Sequence, residues 1–209
     1  MAKLKAPLLS FGASGQIAKS LVYFPWKGLN AVRQHVVPAN PKTALQVAQR
    51  SLVTIAVALI HTAMARATHP IDEDDKSAYS LWGSTYPTPR TWFNQAVKKF
   101  IDCHRLAKIP VIYSDGTTTN PLHTSATMTL YLNEHVASSL AAGKIYLGTS
   151  KTALMLTMAV VVTAGVSVTS AAAPFTTLAA GVKYYWQFRP DVADPCEGAL
   201  SGIYHFIAT

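Results

Sequence analysis

The periodicity of the apolar residues changes sharply at Pro110. From Thr43 up to it, apolar side chains recur with the three-to-four spacing of amphipathic helices. After it, apolar residues alternate with small or polar ones in short runs, the pattern of half-buried strands. A chain patterned this way is expected to be α+β. The expected layout is an N-terminal extended arm or hairpin and two amphipathic helices, followed by a C-terminal antiparallel β-sandwich-like module.

The first helix is expected over 43–67. Thr43 and Gln46 have capping-box spacing. Leu45, Ala48, Leu52, Ile55 (with Ala56), Leu59 and Met64 follow at helical intervals, and Pro70 ends the segment. Its uncharged part, Ser51–Ala65, is too short to span a bilayer and reads as a core helix. The second helix is expected over 91–108. Phe93, Val97, Phe100, Ile101 and His104 form one face, and Lys98, Lys99 and Arg105 lie outside it. Between the helices, 71–90 reads as a linker. It opens on the solvated acidic run Asp72-Glu73-Asp74-Asp75 and continues through Trp82, Gly83, Tyr86, Pro87 and Pro89.

Residues 1–42 are broken by glycines and prolines. The runs Ile17–Phe24 and Ala31–Val37 suggest a hairpin turning at Pro25-Trp26-Lys27-Gly28. Beyond Pro110, strands are expected at Val111–Tyr113, Met128–Leu132, Lys144–Leu147, Ala153–Thr163, Val166–Thr169, Val182–Arg189 and Ile203–Ile207. Asp115-Gly116 reads as a turn and Thr117–Thr127 as a loop. The uncharged stretch Thr152–Gly181 fills with Gly, Ser, Thr and Pro174, so it reads as buried strands rather than a membrane span. The expected organisation is a basic arm at 1–42, a helical region at 43–110 and a β-rich domain at 111–209.

Charge is distributed as unevenly as periodicity. Residues 1–71 carry eight Lys or Arg and no Asp or Glu, which accounts for the net charge of +8. Such a segment suits docking against something negative or packing among other subunits. Charged residues make up only 13% of the chain. So small a share on so apolar a chain is equally consistent with surface hidden in subunit contacts and with an Ala-, Ser- and Thr-rich surface that is polar but uncharged. The N-terminus has no long apolar run before a cleavage site, so no secretory signal is expected. The two cysteines, Cys103 and Cys196, fit neither a disulfide framework nor zinc spacing.

No motif names a reaction. The histidines show no HxxxH or HExxH spacing, and Gly-x-Ser-x-Gly is absent. Cys103 and His104 are adjacent on a helix and point about 100° apart, which is poor geometry for a nucleophile–base pair. The acidic run lacks the Gly and the twelfth-position Glu of a calcium loop. Asp102, Asp115 and Glu134 are catalytic candidates by residue type alone, and a hydrolase of surface polymers would need two of them in one cleft. No enzyme activity, cofactor or metal is expected.

The richest block runs from Tyr23 to Arg50. It holds Trp26-Lys27-Gly28, Arg33, Asn40-Pro41-Lys42-Thr43 and Gln46…Gln49-Arg50. Cations beside aromatic faces suit stacking, cation–π contact or phosphate neutralisation. As a string, the block resembles the N-terminal segment of small phage structural proteins. That resemblance implies a virion component acting through subunit contacts, in the capsid, connector or tail. Its partners would be other copies of itself and other virion proteins, with no membrane, and it would be assembled in the host cytoplasm. The expected interaction residues are Lys19, Trp26, Lys27, Arg33, Lys42 and Arg50. The alternative is a nucleic-acid-binding or packaging protein using the same basic segment. A second likeness lies in Leu178-Ala179-Ala180-Gly181-Val182-Lys183-Tyr184-Tyr185 with the closing run Ser201–Phe206. These residues resemble the last strands of fibronectin-type-III-like sandwiches, which implies alternate aromatics plugging the space between sheets.

Overall fold

Contacts divide the computed structural model into two units, Met1–Ala44 and Leu45–Thr209. The structure describes residues 2–4, 14–37, 39–40, 42–122, 125–136, 139–170 and 178–209.

In the first unit the expected hairpin is the centre of a four-stranded antiparallel sheet. Its strands are β1 (Ala2–Leu4), β2 (Gly15–Ile17), β3 (Leu21–Trp26) and β4 (Leu29–Gln34), in the order β1-β4-β3-β2. The turn is tighter than the sequence suggested. Trp26 pairs with Leu29, leaving only Lys27 and Gly28 in the loop, at φ 48° and 77°. Two successive left-handed residues make a type I′ turn, whose twist matches that of the flanking strands, and glycine takes the second position without strain.

The second unit is α+β with an antiparallel, sandwich-like module. Its helices are α1 (Ala44–Met64), α2 (Glu73–Gly83) and α3 (Trp92–Arg105). Its strands are β5 (Val111–Leu122), β6 (Ser125–Glu134), β7 (Gly143–Gly148), β8 (Leu156–Thr163), β9 (Ser167–Ser170), β10 (Lys183–Pro190) and β11 (Tyr204–Ile207). They form one sheet in the order β11-β10-β7-β8-β9-β6-β5. The sheet curls into a near-barrel. Its two edge strands approach each other, and Thr209 N–H donates to the Pro121 carbonyl at 2.8 Å beside the seam. The interior is filled by alternate residues, among them Tyr113, Met128, Leu130, Leu132, Ile145, Leu147, Val168, Trp186 and Phe188. A second cluster (Ile60, Ala63, Tyr79, Trp82, Ala96, Ile112 and Ile203) joins the helices to the outside of the sheet. The helices therefore belong to the same unit as the strands, and no boundary falls at 110.

Two stretches differ from the sequence expectation. Residues 73–83 are helical, not linker. Asp72 is the N-cap, its Oδ1 accepting the Asp75 N–H at 2.8 Å, while Asp75 Oδ2 accepts the Asp72 N–H at 3.2 Å. Acidic side chains in the first turn complement the helix dipole, and Ala78, Tyr79 and Trp82 supply the buried face. The Thr-rich segment after Asp115 is a long strand rather than a loop, because β-branched threonine fits a pleated surface. The pairing shifts by one residue between Ser114 and Thr117, so Asp115-Gly116 is a β-bulge and not a hairpin turn.

Candidate interaction surfaces

Five of the six expected interaction residues belong to the first unit. Trp26 and Lys27 stand together at the β3–β4 turn, with Trp26 53% exposed. Arg33 lies on β4, opposite Val22, and its guanidinium sits 5.5 Å from the centre of the Phe24 ring. Val22, Phe24 and Trp26 alternate along β3, so Arg33, Phe24 and Trp26 share one sheet face. Lys19 occupies the β2–β3 turn at φ 54°, beyond the opposite ends of the strands. Lys42 has φ 45° and precedes α1. Arg50 belongs to the second unit, on the exposed first half of α1.

Helix α1 is not the core helix expected from Ser51–Ala65. Only Ala56, Ile60 and Ala63 are buried, and the first two turns are exposed throughout, with Leu45 84% accessible. The buried residues are spaced to dock one stripe of the C-terminal half onto the second cluster. Leu45, Ala48 and Leu52 carry that apolar stripe on toward the N-terminus, past the residues that cover it. Among the described residues, α1 is the one helix long and apolar enough to cross a membrane.

The acidic run is also placed differently from the expectation of a solvated cluster. Asp75 is buried. Its Oδ1 accepts from Tyr204 Oη–H (2.7 Å) and Gly116 N–H (3.1 Å), and its Oδ2 accepts from Asp115 N–H (2.7 Å) as well as from Asp72. The two bulge amides, which the ladder leaves unpaired, are thereby satisfied. Burial pushes the Asp75 carboxyl above its ordinary value of 3.8, and the donors, Tyr204 first, pull against that rise. Since the folded value is the higher one, the stability Asp75 contributes is greatest below pH 3.8 and is lost as pH rises through the folded value. The difference in unfolding free energy between wild type and Asp75→Asn, measured from about pH 4 to about pH 7, is expected to narrow as pH rises. A difference that widens toward neutrality would show the donors outweighing burial.

The other titratable groups hold the fold together. His69 Nδ1 lies 2.5 Å from Asp115 Oδ2, and its ring stacks on Tyr131 with centres 3.3 Å apart. Both His69 and Asp115 are left-handed, at φ 55° and 48°. The Ser114 hydroxyl donates to the His69 carbonyl at 2.8 Å and accepts from Asn133 at 3.0 Å, so the cluster fastens the α1–α2 connection to β5 and β6. The three carboxylates considered for catalysis are engaged separately. Asp102 pairs with Lys98, Asp115 with His69, and Glu134 accepts the amides of Ser139 and Leu140. Cys103 is buried, while its neighbour His104 faces outward. Burial pushes the Cys103 and Cys196 thiols up to about 11 and about 12. Among the described residues, no group of three or more His, Cys, Asp or Glu is placed to hold a metal ion.

No family model matches this chain, and neither a curated protein nor a solved structure was found to match it.

Proposed function

We propose that this protein is a structural subunit of a phage-type particle, working through contacts with further copies of itself and with other particle proteins. Helix α1 supports this most directly. It is 21 residues long, its apolar window has a mean hydropathy of 1.4, and only 17% of that window is buried. Leu45, Ala48, Leu52, Ile55 and Leu59 follow one another at alternating intervals of three and four, the seam of a helix that packs on another helix. The other side carries Arg50, Thr54 and His61 among Val47 and Val57. A guanidinium within an apolar span is costly in lipid, so Arg50 favours a protein partner. The first 71 residues, free of acids, add cationic charge suited to a negative neighbour. The likeness of the Trp26–Arg50 block to phage structural proteins supplies the particle.

Native mass measurement of the full chain is expected to give an oligomer. The double variant Leu45→Glu, Ala48→Glu changes two exposed positions, so it keeps the thermal midpoint while weakening association at least about tenfold. A wild type that is monomeric at every concentration, or a variant that associates unchanged, overturns the proposal.

A second reading rests on the exposed Trp26 beside Lys27, with Arg33 over Phe24 on the same face. Such a surface offers a base a stacking partner and a backbone its counter-charges. In that case, affinity for single-stranded nucleic acid falls steeply with salt and is lost with Trp26→Ala.

A further inference from the structure

Where the seam of the near-barrel meets α2, the second unit holds a cleft of about 590 Å³. Among the described residues β5 pairs only with β6 and β11 only with β10, so the sheet does not close here. On the outer face of β10 and β11, Tyr185 stands opposite His205, their ring centres 6.2 Å apart and their planes at 44°. Two residues before Tyr185, the Lys183 ammonium lies 5.4 Å from the Tyr185 ring centre. α2 contributes the Asp74 carboxylate and the Ser77 hydroxyl, and β5 contributes Thr117. The assembly proposal uses none of these groups.

The polar part of the lining disfavours several ligand classes. A polyanion meets Asp74 and a polycation meets Lys183. A lipid chain would desolvate a carboxylate, an ammonium, an imidazole and hydroxyls without bonding any of them. What fits is an uncharged ring with an apolar C–H face and a rim of hydroxyls. The tilted Tyr185–His205 pair offers aromatic surface to the first, and Asp74, Ser77 and Thr117 offer hydrogen bonds to the second. Burial, with Lys183 adding to it, holds His205 below its ordinary value of 6.5. The neutral imidazole can then both donate and accept, as a sugar hydroxyl does. The cleft is within the size range of small-molecule sites.

We propose that this cleft binds a neutral sugar unit of a glycan, with the ring against Tyr185 and its hydroxyls on Asp74 and His205. The inference stands independently of the assembly proposal.

The test begins with the full-length protein on a printed array of neutral, amino-sugar and sulfated glycans. Calorimetry then follows on the glycan that binds best. Asp74→Asn and His205→Ala alter exposed side chains, so each is expected to shift the thermal midpoint by no more than about 3 °C while weakening binding at least about tenfold. No binding to any arrayed glycan overturns the proposal, as does a bound glycan whose affinity neither substitution changes. Preferential binding of sulfated glycans, lost in Lys183→Ala but kept in Asp74→Asn, would also overturn it, because the site would then be anionic in preference.

Discussion

Replacing Asp75 with alanine is expected to lower the unfolding free energy by about 3 to 5 kcal/mol. In a chain of this size that corresponds to a fall in Tm of about 10 °C. Three elements meet on this carboxylate: the start of α2, the bulge in β5, and β11 through Tyr204. Alanine leaves the half-buried Asp115 and Gly116 amides and the buried Tyr204 hydroxyl without their acceptor. Thermal denaturation by circular dichroism checks the value. A loss below about 1 kcal/mol would mean that these donors find other partners.

Gly116→Ala is expected to cost about 3 kcal/mol, by crowding rather than by loss of a bond. A Cβ at this position would lie 2.1 Å and 2.2 Å from two ring carbons of Tyr204. That ring cannot swing aside. It stacks on Trp186 with centres 4.7 Å apart, and its hydroxyl is tied to Asp75. Trp186 is itself fixed, because its Nε1–H donates to Thr118 Oγ1 at 3.0 Å across the seam. Asp75 and Gly116 act on one tyrosine, so the double variant should lose less than the sum of the two single losses. Equilibrium urea unfolding of the three variants measures that coupling.

Periodicity located α1 and α3 because each carries a long apolar stripe between clear stops. It missed α2, whose eleven residues bury only one short face and open on three acids behind an Asp72 cap. Read as solvated charge, that run concealed an N-cap, a dipole-complementing first turn and the buried Asp75. The signal was present in the step from Asp72 to Asp75 and in the spacing of Ala78, Tyr79 and Trp82. The Thr-rich β5 was taken for a loop because threonine is polar, although its branched side chain favours strands. The exposure of α1 could not be read from its pattern, since an apolar stripe looks the same whether its cover lies in the same chain or outside it. The cleft was beyond reach for another reason: residues 74, 117, 185 and 205 come together only through the order of the strands and the docking of α2.

The burial of both thiols has a practical consequence. Thiolates that form only at strongly alkaline pH leave Cys103 and Cys196 inert toward maleimides under ordinary conditions. A cysteine placed at Lys27, at the tip of the β3–β4 turn, would then take up a fluorophore or cross-linker selectively. The native chain thus comes ready for mapping the neighbours of its cationic sheet, without first being stripped of its own sulfhydryls.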